Sequence, residues 1–204
     1  MVLRSSFKAD LKKEQRLYPL LDSLYTNYLK RYIFSRVSDY QEQLKGIDLL
    51  FMHKVSGQRY FIDEKAQLDY VNDDLPTFAF EIQYLKKGQL KEGWLFDESK
   101  ATHFYSLITA IYQDSPHTFT SCKITLVNRR KLIAFLADRQ ITKEFLASEI
   151  TKYPEKNAKL ELYSLDPGKE GYLYFSTKNK AEKPINLILK LDFLIASGIA
   201  KRLV

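Results

Sequence analysis

Leu17, Leu20, Leu21, Leu24, Tyr25, Tyr28, Leu29 and Tyr32 recur at steps of three and four residues, the spacing that lays one apolar stripe along an α-helix. Pro19 interrupts the stripe. A proline removes a backbone donor and crowds the preceding turn, so the helix is predicted either to begin near Tyr18 or to kink there. Asp10, ahead of Lys12, Lys13 and Glu14, is placed to cap a short helix before it. A polar stretch, SRVSDYQEQLK, follows, and then the period changes. GIDLLFMH and RYFIDEKAQL are predicted as two strands joined through KVSGQ, a connection short enough for a hairpin. TFAFEIQYL alternates and predicts a third strand, KKGQLKEG a polar turn, the segment from His103 to Tyr112 a further strand, and SCKITLVNRR a fifth. Leu132, Phe135 and Leu136 fit one short helix. Phe145, Leu146 and Ile150 fit another, for which Thr142 supplies a cap. Beyond Pro154, the segments KLELYSL, GYLYFST and INLILKL return to strands, and FLIASGIAKRL predicts a closing helix.

This order of helix, strands, helices and strands predicts an α+β or mixed α/β fold, not a doubly wound parallel sheet. The single cysteine, Cys122, excludes an internal disulfide and a cysteine-based zinc site, and its β-patterned neighbours make it a buried filler. His53, His103 and His117 do not fall at metal-ligand spacing, and the seven glycines form no phosphate-binding loop. The segment MVLRSSFKADLKKEQ lacks the apolar core of a signal peptide, and no apolar run reaches the roughly 18 residues of a membrane span, so a cytoplasmic location away from membranes is expected.

Charge is unevenly spread. Lys and Arg outnumber Asp and Glu nine to five in residues 1–45 and sixteen to nine in 120–204, whereas acids lead eleven to seven in 46–119. An acidic centre with basic flanks suits a site that holds a cation while its surroundings meet phosphates, although an unevenly charged solvated surface gives the same count.

Within that centre, side chains two apart on a strand share a face, so Asp63, Lys65 and Gln67 project together while Ile62, Glu64 and Ala66 point the other way. If the two strands pair as a hairpin, Asp48 comes close to Asp63. Two acids among apolar residues (Ile47, Leu49, Phe61, Ile62) repel each other, and a hard divalent cation resolves this by accepting their oxygens. Such an ion, Mg²⁺ or Mn²⁺, would lower the pKa of a bound water and neutralise charge developing on a phosphodiester. Lys65 would orient or deprotonate the attacking water, or stabilise the phosphorus centre.

The arrangement G-[IV]-D, about fifteen residues, then hydrophobic-D-x-K on an adjacent strand resembles the PD-(D/E)xK superfamily of nucleases, the restriction-endonuclease-like fold. The resemblance covers roughly residues 10–112. It implies a central mixed sheet flanked by helices over residues 1–158, with a β-rich C-terminal extension, 159–204, packed on the same domain. It further implies metal-dependent hydrolysis of DNA phosphodiester bonds, RNA remaining open, by a protein that acts as a homodimer. Asp48 resembles the first metal acid, Asp63 the second and Lys65 the lysine, with the Glu64 carbonyl as a main-chain metal ligand. Glu14, or else Asp22, stands for the acid donated by the preceding helix, and Gln67 for a glutamine two beyond the lysine. Ile47 occupies the place of the name-giving proline, and the Glu64 side chain is expected to meet a base such as Arg16 or Arg36.

Other features have two readings. Glu81 and Gln83 share a face and could line the same site or hydrogen-bond to Lys65. Trp94, Phe96 and Tyr105 are core aromatics unless exposed near a basic groove. Arg129, Arg130 and Lys131 form the most concentrated basic cluster and are candidate phosphate contacts, or otherwise a solvated face. The alternatives to a nuclease are a non-catalytic nucleic-acid-binding or assembly protein on the same fold, and an unrelated α+β interaction module in which the triplet is fortuitous.

Overall fold

In a computed structural model, the structure describes residues 7–115, 118–153, 157–176 and 182–204. Along the chain run helix α1 (Phe7–Tyr28), strand β1 (Tyr32–Arg36), helix α2 (Tyr40–Leu44) and strands β2 (Leu49–His53) and β3 (Arg59–Ala66). A 3-10 turn (Leu68–Tyr70) leads to strands β4 (Thr77–Lys86), β5 (Gln89–Glu92), β6 (Phe104–Ser115) and β7 (Thr118–Asn128). Then come helices α3 (Arg129–Asp138) and α4 (Lys143–Thr151), strands β8 (Lys159–Leu160), β9 (Gly171–Phe175) and β10 (Ile185–Lys190), helix α5 (Leu191–Ala196) and strand β11 (Ala200–Arg202). The chain divides into two compact units, one formed by Ser6–Leu75, Ser99–Arg129 and Gly198–Val204, the other by Pro76–Glu98 and Arg130–Ser197. Residues on both sides of position 158 thus belong to one unit. The class is α+β, with a mixed sheet and a second, antiparallel one.

The first unit holds a six-stranded sheet in the order β1-β2-β3-β6-β7-β11. β1, β2 and β3 form an antiparallel meander, β6 runs parallel to β3, and the β6–β7 and β7–β11 pairs are antiparallel. Period-2 alternation sends Leu49, Phe51, Ile62, Ile108 and Ile124 to one face, where they form a core with Leu17, Leu21 and Tyr25 of α1. The helix runs through Pro19, whose position is exposed.

Three expectations fail within this unit. Tyr32 fits the helical stripe by spacing, yet the chain leaves the helix after Tyr28 and Tyr32–Arg36 pairs with β2, because YIFSR also carries a strand alternation. The polar stretch contains α2, capped by Asp39, whose carboxylate accepts the Glu42 N–H at 3.0 Å. The last expected helix stops at Ala196. Gly198, at φ +67°, turns the chain, and Ala200–Arg202 becomes an edge strand on β7.

The second unit is built on an antiparallel sheet in the order β5-β4-β10-β9-β8. KKGQLKEG is a hairpin and not only a turn: Lys86 pairs with Gln89 across Lys87 and Gly88, both at positive φ, as a two-residue hairpin turn requires. β5 has no apolar face and is exposed along its whole length. KLELYSL yields a strand only at Lys159–Leu160. As expected, Thr142 caps α4, its hydroxyl accepting the Phe145 N–H at 3.2 Å. His117, Pro154 and Thr177 lie outside the described residues. No helix among the described residues is long and apolar enough to cross a membrane.

Candidate active site

The site begins at the end of α2. Gly46, at φ +73°, turns the chain into β2, and a Cβ there would lie 2.4 Å from Thr102 Oγ1 and 3.3 Å from Asp63 Oδ2. Only glycine meets both the backbone and the packing requirement at this position. Thr102 occupies that space to donate its hydroxyl to the Gly46 carbonyl at 2.8 Å.

Asp48 stands just ahead of β2. Its N–H donates to the Ile62 carbonyl at 2.9 Å and its carbonyl accepts from the Val37 N–H at 2.8 Å, so its backbone is held by both neighbouring strands. Its carboxylate then takes the Glu64 N–H at 2.8 Å, a donor that is left without a ladder carbonyl there. The Asp48 side chain is thereby fixed beside Asp63, close enough for the Asp63 charge to act on it. Lys65, two residues on and on the same face, donates to Asp63 Oδ1 at 2.5 Å. Asp63 retains 3% side-chain exposure and Lys65 30%, so solvent reaches this cluster along the lysine.

Burial foremost, then the neighbouring Asp63 charge, pushes the Asp48 carboxyl up to about 7. Asp48 therefore keeps a proton at mildly acidic pH. Burial by itself would lower the Lys65 ammonium, but the Asp63 and Asp48 charges outweigh it and hold the group above its ordinary value. The cluster is two neighbouring carboxylates faced by a lysine that their charge keeps protonated.

Glu64 points to the opposite face, toward α1. Its carboxylate accepts from the Tyr25 hydroxyl at 2.7 Å and from Arg36 NH1 at 2.6 Å. Of the two bases considered for it, Arg36 is the one the structure supplies. Arg36 also pairs with Asp22 at 2.6 Å and lies 3.8 Å from the centroid of the Tyr18 ring. Because the single Tyr25 proton goes to Glu64, the Ser106 hydroxyl is the donor in its 2.8 Å bond to Tyr25. Asp22 is thus engaged in an ion pair and is not at Asp48.

This network has a measurable weight. Tyr25 is fully buried and serves Glu64 and Ser106 together. Tyr25→Phe preserves the ring packing and leaves both partners short of a bond. Urea denaturation is expected to show a loss of about 1–3 kcal/mol. A change under about 0.5 kcal/mol would mean that the network contributes nothing to stability.

Asp48, Asp63 and Lys65 therefore come together as the hairpin pattern implied. Glu14 lines a cleft together with Tyr18, Asp48 and Glu64. Gln67 is one residue past β3, its N–H donating to the Ile108 carbonyl at 3.0 Å. Arg129 opens α3 with its Nε donating to the Tyr105 hydroxyl at 3.0 Å, while Arg130 and Lys131 are exposed and belong to the second unit. Glu81 and Gln83 lie on β4, in the sheet of the second unit. His103 accepts the Phe61 N–H at Nδ1, an ordinary structural role. Among the described residues no three His, Cys, Asp or Glu side chains gather as a metal-binding group.

Pattern reading missed Tyr105, whose Cα pairs with that of Asp63. The Asp39-x-x-Glu42 spacing that starts α2, and so sets up Gly46, was a signal open to it. The chain matches no protein-family model, and comparison with curated proteins and with solved structures finds no match.

Proposed function

We propose that this chain is a divalent-metal-dependent nuclease of the restriction-endonuclease-like type, hydrolysing DNA phosphodiester bonds at Asp48, Asp63 and Lys65. The observation that carries the reading is geometric: the Glu64 N–H fixes the Asp48 carboxylate next to Asp63, and Lys65 donates to Asp63 Oδ1. The mixed sheet with α1 on one face, the first acid just ahead of β2 and the triplet on β3 all fit what the motif resembles.

The donor set suits a hard cation. Two buried carboxylates that repel each other are relieved when a divalent ion accepts oxygens from both. Asp48, Asp63 and the Glu64 carbonyl would hold Mg²⁺ or Mn²⁺. When bound, the ion supplies Lewis acidity toward a phosphodiester and its attacking water. Glu64 serves through its backbone, since its side chain is committed to Tyr25 and Arg36. Lys65, kept charged by its acidic neighbours, donates a hydrogen bond to a phosphate oxygen and offsets charge developing there. It is not the base. Glu14 and Gln67 are the further acid and amide of the site, and Arg129, Arg130 and Lys131 meet the DNA backbone. In keeping with the resemblance, the protein acts as a homodimer in the cytoplasm.

A second reading is favoured by one observation. Lys65 already occupies Asp63 Oδ1 at 2.5 Å, and a non-catalytic nucleic-acid-binding protein on the same fold could keep that ion pair permanently. Incubation of supercoiled, linear and branched DNA with Mg²⁺ or Mn²⁺ separates the two. Cleavage that needs the metal and disappears in Asp63→Ala and Lys65→Ala supports the nuclease. Binding of DNA without cleavage by the folded wild type supports the second reading.

A further inference from the structure

Phe61 and Asp63 lie two residues apart on β3, so they share the sheet face opposite α1, roughly 7 Å apart along the strand. Leu50 and then Ser35 stand across from Phe61, and Met52 and then Ile33 across from Arg59, so rows from β1, β2 and β3 lead away from the acids along this face. The face is open toward β1, where Ile33 is 49% exposed. His103, just ahead of β6, sets its ring parallel to that of Phe61, with centroids 5.0 Å apart and planes inclined by 6°. Two hydrogen bonds lock the pair. The Phe61 N–H donates to His103 Nδ1 at 3.0 Å, and the His103 N–H donates to the Phe61 carbonyl at 2.9 Å. The bond that gives His103 its structural role thus also fixes its ring. His103 is exposed and Phe61 half-buried, which leaves a rigid aromatic surface facing solvent beside the site. Beyond it stand exposed cations: Arg59 on the same face, then Lys54 and Arg31, joined by a 2.9 Å bond from the Lys54 N–H to the Arg31 carbonyl.

Fixed aromatic faces flanked by cations hold single strands, because every base has a face to stack and every nucleotide a phosphate to pair. A base inside a duplex is already stacked on its neighbours and reaches such a surface only when it is pushed out. We propose that the His103 ring, backed by Phe61, is a stacking platform for an unpaired base next to the phosphate held at Asp48, Asp63 and Lys65. Arg59, Lys54 and Arg31 follow the phosphates of the same strand. The substrate class is then DNA with a single-stranded stretch, not uninterrupted duplex. The proposal rests on the nuclease reading above and adds the substrate class to it.

The test is fluorescence anisotropy in Ca²⁺ of a labelled single-stranded oligothymidylate and of a duplex of equal length, with Mg²⁺-dependent cleavage of duplex and gapped DNA run in parallel. Wild type is expected to bind the single strand about tenfold more tightly than the duplex. His103→Gln keeps an acceptor for the Phe61 N–H and loses the ring, and its single-strand affinity is expected to fall about tenfold. His103→Phe keeps a flat ring and loses the acceptor, and it is expected to stay within a few-fold of wild type. Duplex binding should be the same in all three. Arg59→Gln should reduce the slope of log affinity against log salt for the single strand by about 0.7. Equal binding of duplex and single strand by wild type, or His103→Gln indistinguishable from it, overturns this inference and leaves the nuclease reading to the cleavage arm. A fall in His103→Phe as large as in His103→Gln also overturns it, since the bond and not the ring would then matter. Absence of cleavage by folded wild type overturns the nuclease reading, and the binding arm still decides the platform.

Discussion

Asp63→Ala is expected to reduce Mg²⁺-dependent DNA cleavage by at least about 10²–10³-fold while leaving the protein folded, and Lys65→Ala by a similar factor. The magnitude follows from geometry. Asp63 is the most buried of the three side chains and touches both of the others, so its removal takes away one cation ligand and also the group that fixes Lys65. Lys65→Ala deletes a positive charge held against the buried Asp63 carboxylate, where a fixed charge counts for more than in bulk solvent. The two effects should not add in the double variant, because each residue works only with the other in place. Asp63→Ala should also melt no lower than wild type in the absence of metal, since the buried acid it removes is costly. An active Asp63→Ala protein would place the chemistry elsewhere.

The second large effect is on stability, and its sign is opposite to the usual carboxylate case. An unfolded aspartate titrates near 3.9, whereas the folded Asp48 carboxyl is pushed up to about 7 by burial and by Asp63. Between those values the folded state holds the extra proton. Metal-free stability is therefore fully present below the unfolded value, falls as pH rises through the folded value, and levels off above it. The difference amounts to a few kcal/mol, on the order of 1.4 per unit of displacement. Asp48→Asn cannot ionise, yet its amide oxygen can still accept the Glu64 N–H. At about pH 8 without metal, Asp48→Asn is expected to be more stable than wild type by about 2–4 kcal/mol, with the gap closing toward about pH 5. Added Mg²⁺ should restore the wild type and leave Asp48→Asn unmoved. Urea titrations across pH check this, and parallel curves for the two proteins would contradict it.

The legible parts of the fold were those in which neighbours in sequence are neighbours in space. Asp48 and Asp63 could be paired in advance because one hairpin joins them and period 2 fixes which side chains face each other. Tyr32 was assigned to the helix because a residue four beyond Tyr28 also satisfies the helical step, and only the pairing with His53 decides otherwise. Gln89–Glu92 has no apolar alternation, being an exposed edge strand, so nothing in its pattern distinguishes it from a turn. Gly46 was part of the motif, but its reason is Thr102, 56 residues away. Tyr105 was hidden in the same way, since its place beside Asp63 depends on a parallel pair between strands separated by other elements. The acids were thus readable, and so was Arg36 as a base for Glu64; the roles of Tyr25, Thr102 and Tyr105 were not.

Titration calorimetry of Mn²⁺ into the wild type at about pH 7, in two buffers of different ionisation heat, addresses the carboxylate pair itself. The expected result is about one ion per chain with release of the Asp48 proton, and loss of that binding in Asp48→Asn and Asp63→Asn. Folded wild type that takes up no ion, or binding that survives unchanged in both variants, would mean that Asp48 and Asp63 are not a cation site.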